Sequence, residues 1–155
     1  MFWLCTIILA GCGLRTQDPM QHTCHSTFVD NSRVVECEGT ADRVGGTYTL
    51  RIGNESSGVR GNARLDLTLG VGAGRLTVSF DTVDGERLSA DVRPGTQAEL
   101  SGIVALSRGQ GVVTVQVEEG DVRDVLYEAR LSPPDAAPPV LPEATPEVTP
   151  EAAGD

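Results

Sequence analysis

Three short stretches carry side chains able to do chemistry. His22-Thr23-Cys24-His25 is the densest of them. With Cys37 it offers two imidazoles and two thiols, a donor set that suits zinc or copper. Its spacing matches no standard zinc finger, and outside a reducing compartment the two thiols would pair with each other instead. The alternative is a disulfide beside two exposed histidines. Asp81-Thr82-Val83-Asp84-Gly85-Glu86 gathers carboxylates in a turn, as calcium loops do, but lacks the dense ligand alternation of an EF-hand. A soluble hairpin tip explains it equally well. Asn54-Glu55-Ser56 has the form of an N-glycosylation acceptor.

Missing signatures narrow the reaction classes. There is no G-x-S-x-G, and both histidines precede the strand-like region, so no serine-hydrolase arrangement is legible. All 12 basic residues are Arg, which excludes a Schiff-base lysine and a P-loop lysine. Sugar-binding modules display exposed aromatic platforms. Here Trp3 lies in the N-terminal apolar run, while Phe28, Tyr48, Phe80 and Tyr127 fall mostly where a core would use them. A carboxylate pair could still be assembled by tertiary proximity. The expectation is a non-catalytic domain with no catalytic residue, no cofactor and no resident metal.

The elements around these residues read as strands. In Arg64-Leu65-Asp66-Leu67-Thr68-Leu69 the leucines share one face and the polar residues the other. Arg75 to Asp81 repeats the alternation. So do the stretches around Val35 and Cys37, Tyr48 to Ile52, Leu88 to Val92, Leu100 to Leu106, Val113 to Val117 and Val125 to Leu131. Asp84-Gly85 suits a tight hairpin and Pro94-Gly95 a type II turn. Gly45-Gly46, Gly72-Ala73-Gly74, Gly109-Gln110-Gly111 and Glu119-Gly120-Asp121 mark further corners. No window sustains a helical period. The pattern predicts an all-β fold: one small antiparallel domain of eight or nine strands, rich in meander, forming a sandwich or a barrel. Asn54 to Asn62 is the one long internal connection and a candidate crossover between sheets.

Ahead of the strands, Phe2 to Ala10 is an apolar run broken only by Thr6. It is far shorter than the roughly 20 residues a membrane-spanning helix needs, and suits the apolar region of a signal peptide. It ends in Leu9-Ala10-Gly11-Cys12, which resembles the lipobox of bacterial lipoproteins at all four positions. The resemblance implies cleavage before Cys12 and a diacylglyceryl group on its thiol. Residues 1–11 would be a lipoprotein signal peptide, 12–22 a tether, 23–131 the β domain and 132–155 a tail. The protein would be held extracytoplasmically at the cell membrane or outer membrane, with Gly13 compatible with outer-membrane sorting. On that reading Cys5 leaves with the leader and Cys12 carries lipid. Cys24 and Cys37 then remain, and two cysteines in an exported domain read as one disulfide. The bridge would fasten the start of the domain to its first long strand.

Charge sets the remaining limits. The formal net charge is −10. Neither the β region nor the tail offers a basic face, so nucleic acid is not an expected partner. From Ser132 onward Pro-Glu four-residue repeats predict a disordered, acidic, solvated tail. The functional expectation is a lipid-anchored cell-envelope protein acting as a binding, structural or accessory component, with an envelope protein or a small ligand as partner. Two alternatives stand beside it: a small-ligand carrier, if the strands close into a hollow barrel, and a carboxylate-dependent enzyme. An enclosed cavity or a concave face with convergent polar groups would separate them.

Overall fold

The structure, a computed structural model, describes residues 20–55 and 59–135. Leu9-Ala10-Gly11-Cys12, Ser56 and the Pro-Glu repeats lie outside the described residues. Eight strands follow in order: β1 (Gln21–Val29), β2 (Ser32–Val44), β3 (Thr47–Ile52), β4 (Asn62–Gly70), β5 (Ala73–Asp81), β6 (Arg87–Val92), β7 (Gln97–Ala105) and β8 (Gly111–Ser132). All pairings are antiparallel and join into one open sheet. The all-β expectation holds, and the barrel does not close. β1 begins at Gln21, so Gln21 and His22 belong to the sheet and Cys24 sits in mid-strand, not ahead of the first strand.

Alternation decides which side of each strand is buried. Leu65, Leu67 and Leu69 of β4 are buried, and so are Leu76, Val78 and Phe80 of β5. Each such side chain contributes about 1.5–3 kcal/mol when fully removed from water. Polar residues between them face outward, which sets the pairing because a one-residue slip would turn every leucine to solvent.

The architecture turns on β8. Fully extended, its 22 residues would span about 70 Å. Instead Leu131 Cδ2, near its end, lies 3.6 Å from where a side chain on Gly111, at its start, would begin. β8 therefore doubles back. Residues 111–119 pair with β3 and β5, while residues 122–132 pair with β2 and β4, apart from Arg123, which also pairs with Ala73 of β5 at the corner. The open sheet is folded onto itself as a sandwich. One layer runs β3-β8-β5-β6 and the other β1-β2-β8-β4-β7.

Neighbouring chains turn the same corner. β2 passes into β3 at Gly45-Gly46, β4 into β5 at Val71-Gly72, and β6 into β7 at Arg93-Pro94-Gly95-Thr96. Val117 N donates to Gly46 O at 2.9 Å and Gly72 N to Arg123 O at 3.0 Å, so both flanking chains stay bonded to β8 through the bend. At Gly74 (φ 79°) an added Cβ would lie 2.8 Å from Val122 Cα, so only glycine lets the backbones approach this closely. Most glycine corners thus carry the chain between layers. Among the described residues only β1–β2 and β5–β6 join sequential strands as paired hairpins, so the meander is much less extensive than expected. The reason is that a short glycine connection can fold a strand over as well as reverse it. The connection between Ile52 and Asn62 does change layers, as its length suggested.

Candidate functional site

The inner faces meet at contact distance: Leu65, Val104 and Leu131 all converge near Gly111. The polar face to consider is the outer side of the β1-β2-β8-β4-β7 layer, where strand pairing aligns side chains in rows. One row reads Gln21, Thr40, Leu126, Gly70 and Gln97; the next Thr23, Glu38, Glu128, Thr68 and Glu99; the third His25, Glu36, Arg130, Asp66 and Ser101. Two open depressions lie along these rows. The larger, about 780 Å³, includes Thr40, Thr68, Gln97 and Leu126 in its lining. The smaller, about 410 Å³, includes His25, Glu36, Asp66, Glu128 and Arg130.

The electrostatics of this face follow from the rows. Arg130 lies between Glu36 and Asp66, its Nε 3.9 Å from Glu36 Oε1. Ser101 Oγ donates to Asp66 Oδ1 at 2.6 Å. Glu38 and Glu128 sit directly opposite each other, a like-charge pairing that disfavours the sheet slightly. The face suits hydrogen-bond donors or cations better than anions. Glu36, Glu38 and Glu128 are exposed, whereas a carboxyl acting as general acid is usually desolvated.

The residues singled out in the sequence separate in space. Cys24 and Cys37 face each other across β1 and β2 and form a disulfide, with Cα atoms 4.1 Å apart. Cys37 is buried, and Gly53 N donates to its Sγ at 3.3 Å. His22 and His25 are three residues apart on a strand, so they point to opposite faces. With the thiols bonded to each other, the two-His, two-Cys donor set is split. Asp81 is taken up by Arg87 across the β5–β6 hairpin, at 2.7 and 3.0 Å, which holds its carboxyl below the usual carboxylate range. That removes one donor from the calcium-like turn. Glu55 lies 3.8 Å from Arg108. Cys12 lies outside the described residues.

Sequence reasoning missed two features. Asp121, at the corner of β8, accepts from Arg123 and Arg43, and these two arginines lower its carboxyl pKa, Arg123 more strongly. The only sequence signal was Asp121 beside Gly120. The carboxylate rows were visible as outward alternation in single strands, but their lateral neighbours depend on a strand order that the sequence does not state.

No family model matches the chain, and no curated protein matches it. Slight likenesses to solved structures exist. Procruciferin, an 11S globulin from Brassica napus, is 15% identical with a TM-score of 0.35, covering 61% of this chain and 20% of that one. The chain thus spans about a fifth of the globulin's length. A Bacillus endospore appendage protein, from a family of disulfide-linked pili, is 17% identical with a TM-score of 0.40, covering 72% and 99%. Oxalate decarboxylase from Lactobacillus farciminis is 12% identical with a TM-score of 0.33, covering 74% and 32%. Likenesses this slight transfer no function to the chain.

Proposed function

We propose that this chain is a bacterial lipoprotein, anchored through lipid on Cys12 at the extracytoplasmic side of a cell or outer membrane. Its β domain serves as a binding, structural or accessory component and not as an enzyme. The observation that carries this reading is Leu9-Ala10-Gly11-Cys12 at the end of a short apolar run. The Cys24–Cys37 disulfide fits the same compartment, because such bridges persist in oxidising surroundings. Each buried lipid methylene contributes about 0.8 kcal/mol, so two or three acyl chains hold a protein without help from its surface.

The carrier alternative loses its closed barrel, since the sheet is open and its two layers pack against each other. The enzyme alternative finds its carboxylates on a solvated face. Replacing Cys12 with Ala should release the protein from the membrane fraction and abolish the diacylglyceryl mass on the N-terminal peptide. Membrane retention of that variant would refute the anchor. Hydrolytic turnover abolished by Glu38→Gln or Glu128→Gln would refute the non-catalytic reading.

A further inference from the structure

We propose that β1 is a self-association edge, across which two copies of this chain pair their β1 strands antiparallel and join their five-stranded layers into one ten-stranded layer. Among the described residues β1 pairs only with β2, and its other side is open. Two features show which backbone groups face that side. The Asp30-Asn31 turn (φ 47° and 65°) is a two-residue hairpin, whose closing pair Val29 and Ser32 exchanges hydrogen bonds. Counting back by twos makes the odd residues of β1 the ones bonded to β2. Cys24 and Cys37, 4.1 Å apart at Cα, fit the close non-hydrogen-bonded pairing that this count assigns them. The N–H and C=O groups of His22, Cys24, Ser26 and Phe28 therefore point to the open side.

Open edges are normally guarded by charge or proline. The other strands with an open side carry Arg51 in β3, Arg87 and Asp91 in β6, and Glu99 in β7. β1, Gln-His-Thr-Cys-His-Ser-Thr-Phe-Val, is the one described strand with no Asp, Glu, Lys or Arg. In a chain of net charge −10, it is where a second copy can approach with least repulsion.

The strand is also self-complementary over its full length. When two copies overlap from Gln21 to Val29, the two-fold axis falls at His25, and the residues whose backbone groups point to the open side pair with each other: His22 with Phe28 and Cys24 with Ser26. Phe28, 69% exposed, and Val29, 46% exposed, then lie against His22 and Gln21 of the second copy. This arrangement is isologous and closed, so it yields a dimer and not a fibre. It requires no lipid on Cys12.

The test places a cysteine on the axis. In the dimer the two copies of residue 25 form a non-hydrogen-bonded pair about 4.5 Å apart at Cα, the relation that Cys24 and Cys37 already have. Full-length His25→Cys should give a disulfide-linked dimer on mild oxidation, while Val83→Cys, also exposed and on the β5–β6 hairpin, should not. Independently, sedimentation of the wild-type chain across the micromolar range should show dimers. His25→Lys, which opposes two ammonium groups on the axis, should weaken dimerisation by up to about fivefold, with the melting temperature unchanged at concentrations where both chains are monomeric. Equal cross-linking of both cysteine variants, cross-linking of neither, a monomeric wild type, or a dimer indifferent to His25→Lys would each overturn the proposal.

Discussion

Cys24 and Cys37 show how much one cross-link can matter when little else holds an element down. In β1 every residue but Cys24 is exposed, and just ahead of the strand Met20 is buried. The strand is therefore held by its backbone bonds to β2, by Arg33 stacked 5.0 Å from the Phe28 ring and by the bridge. The cysteines are separated by 13 positions, and closing a loop of that size is worth about 3 kcal/mol in the chain-entropy account. Reduction should free β1 locally and leave the rest folded. Amide exchange should accelerate across Gln21–Val29 on reduction, while the amides of β4 and β8 stay protected. Uniform acceleration through all strands would mean that the bridge supports the whole sandwich.

At the scale of elements, the corner of β8 is the feature on which both layers depend. Gly74→Ala forces a side chain into a left-handed backbone and against Val122, and should cost about 1–3 kcal/mol. A denaturant midpoint matching wild type would show that the corner can yield. Asp121 holds the same corner through Arg123 and Arg43. Its carboxyl pKa is lowered on folding, so its contribution is complete above the unfolded value and is lost as pH falls through the folded one. Asp121→Asn should therefore destabilise at neutral pH, with the difference from wild type shrinking on acidification. A difference constant down into strong acid would rule out the ion pairs as its source.

The whole molecule combines a packed sandwich with segments of very different composition. Residues 136–155 are rich in Pro and Glu and can contribute little apolar area to any packing. Deleting them should leave the melting temperature of the β domain nearly unchanged. A fall of many degrees would mean that the tail packs on the domain. The tail follows Ser132, which pairs with Arg64 near the β1–β2 hairpin tip. The N-terminal segment enters at Gln21, which pairs with Thr40 toward the opposite, corner end.

Local chemistry made the strands legible. Leu65, Leu67 and Leu69 declare a buried face because side chains alternate along any strand, whatever it pairs with. Cys24 and Cys37 are the pair that remains if, as the lipobox resemblance implies, Cys5 leaves with a leader and Cys12 carries lipid. Gly45-Gly46, Gly72 and Gly120 announced bends, but not whether each bend reverses a strand within its layer or folds it into the next, since both need the same backbone freedom. That choice depends on which distant strand lies alongside, and here β8 decides it by running through both layers. The same holds for the outer face. Glu38 and Glu128 each point outward by local parity, yet only the pairing of β2 with β8 sets them side by side. The edge of β1 is likewise a tertiary fact: its lack of charge is written in the sequence, and its open side is not.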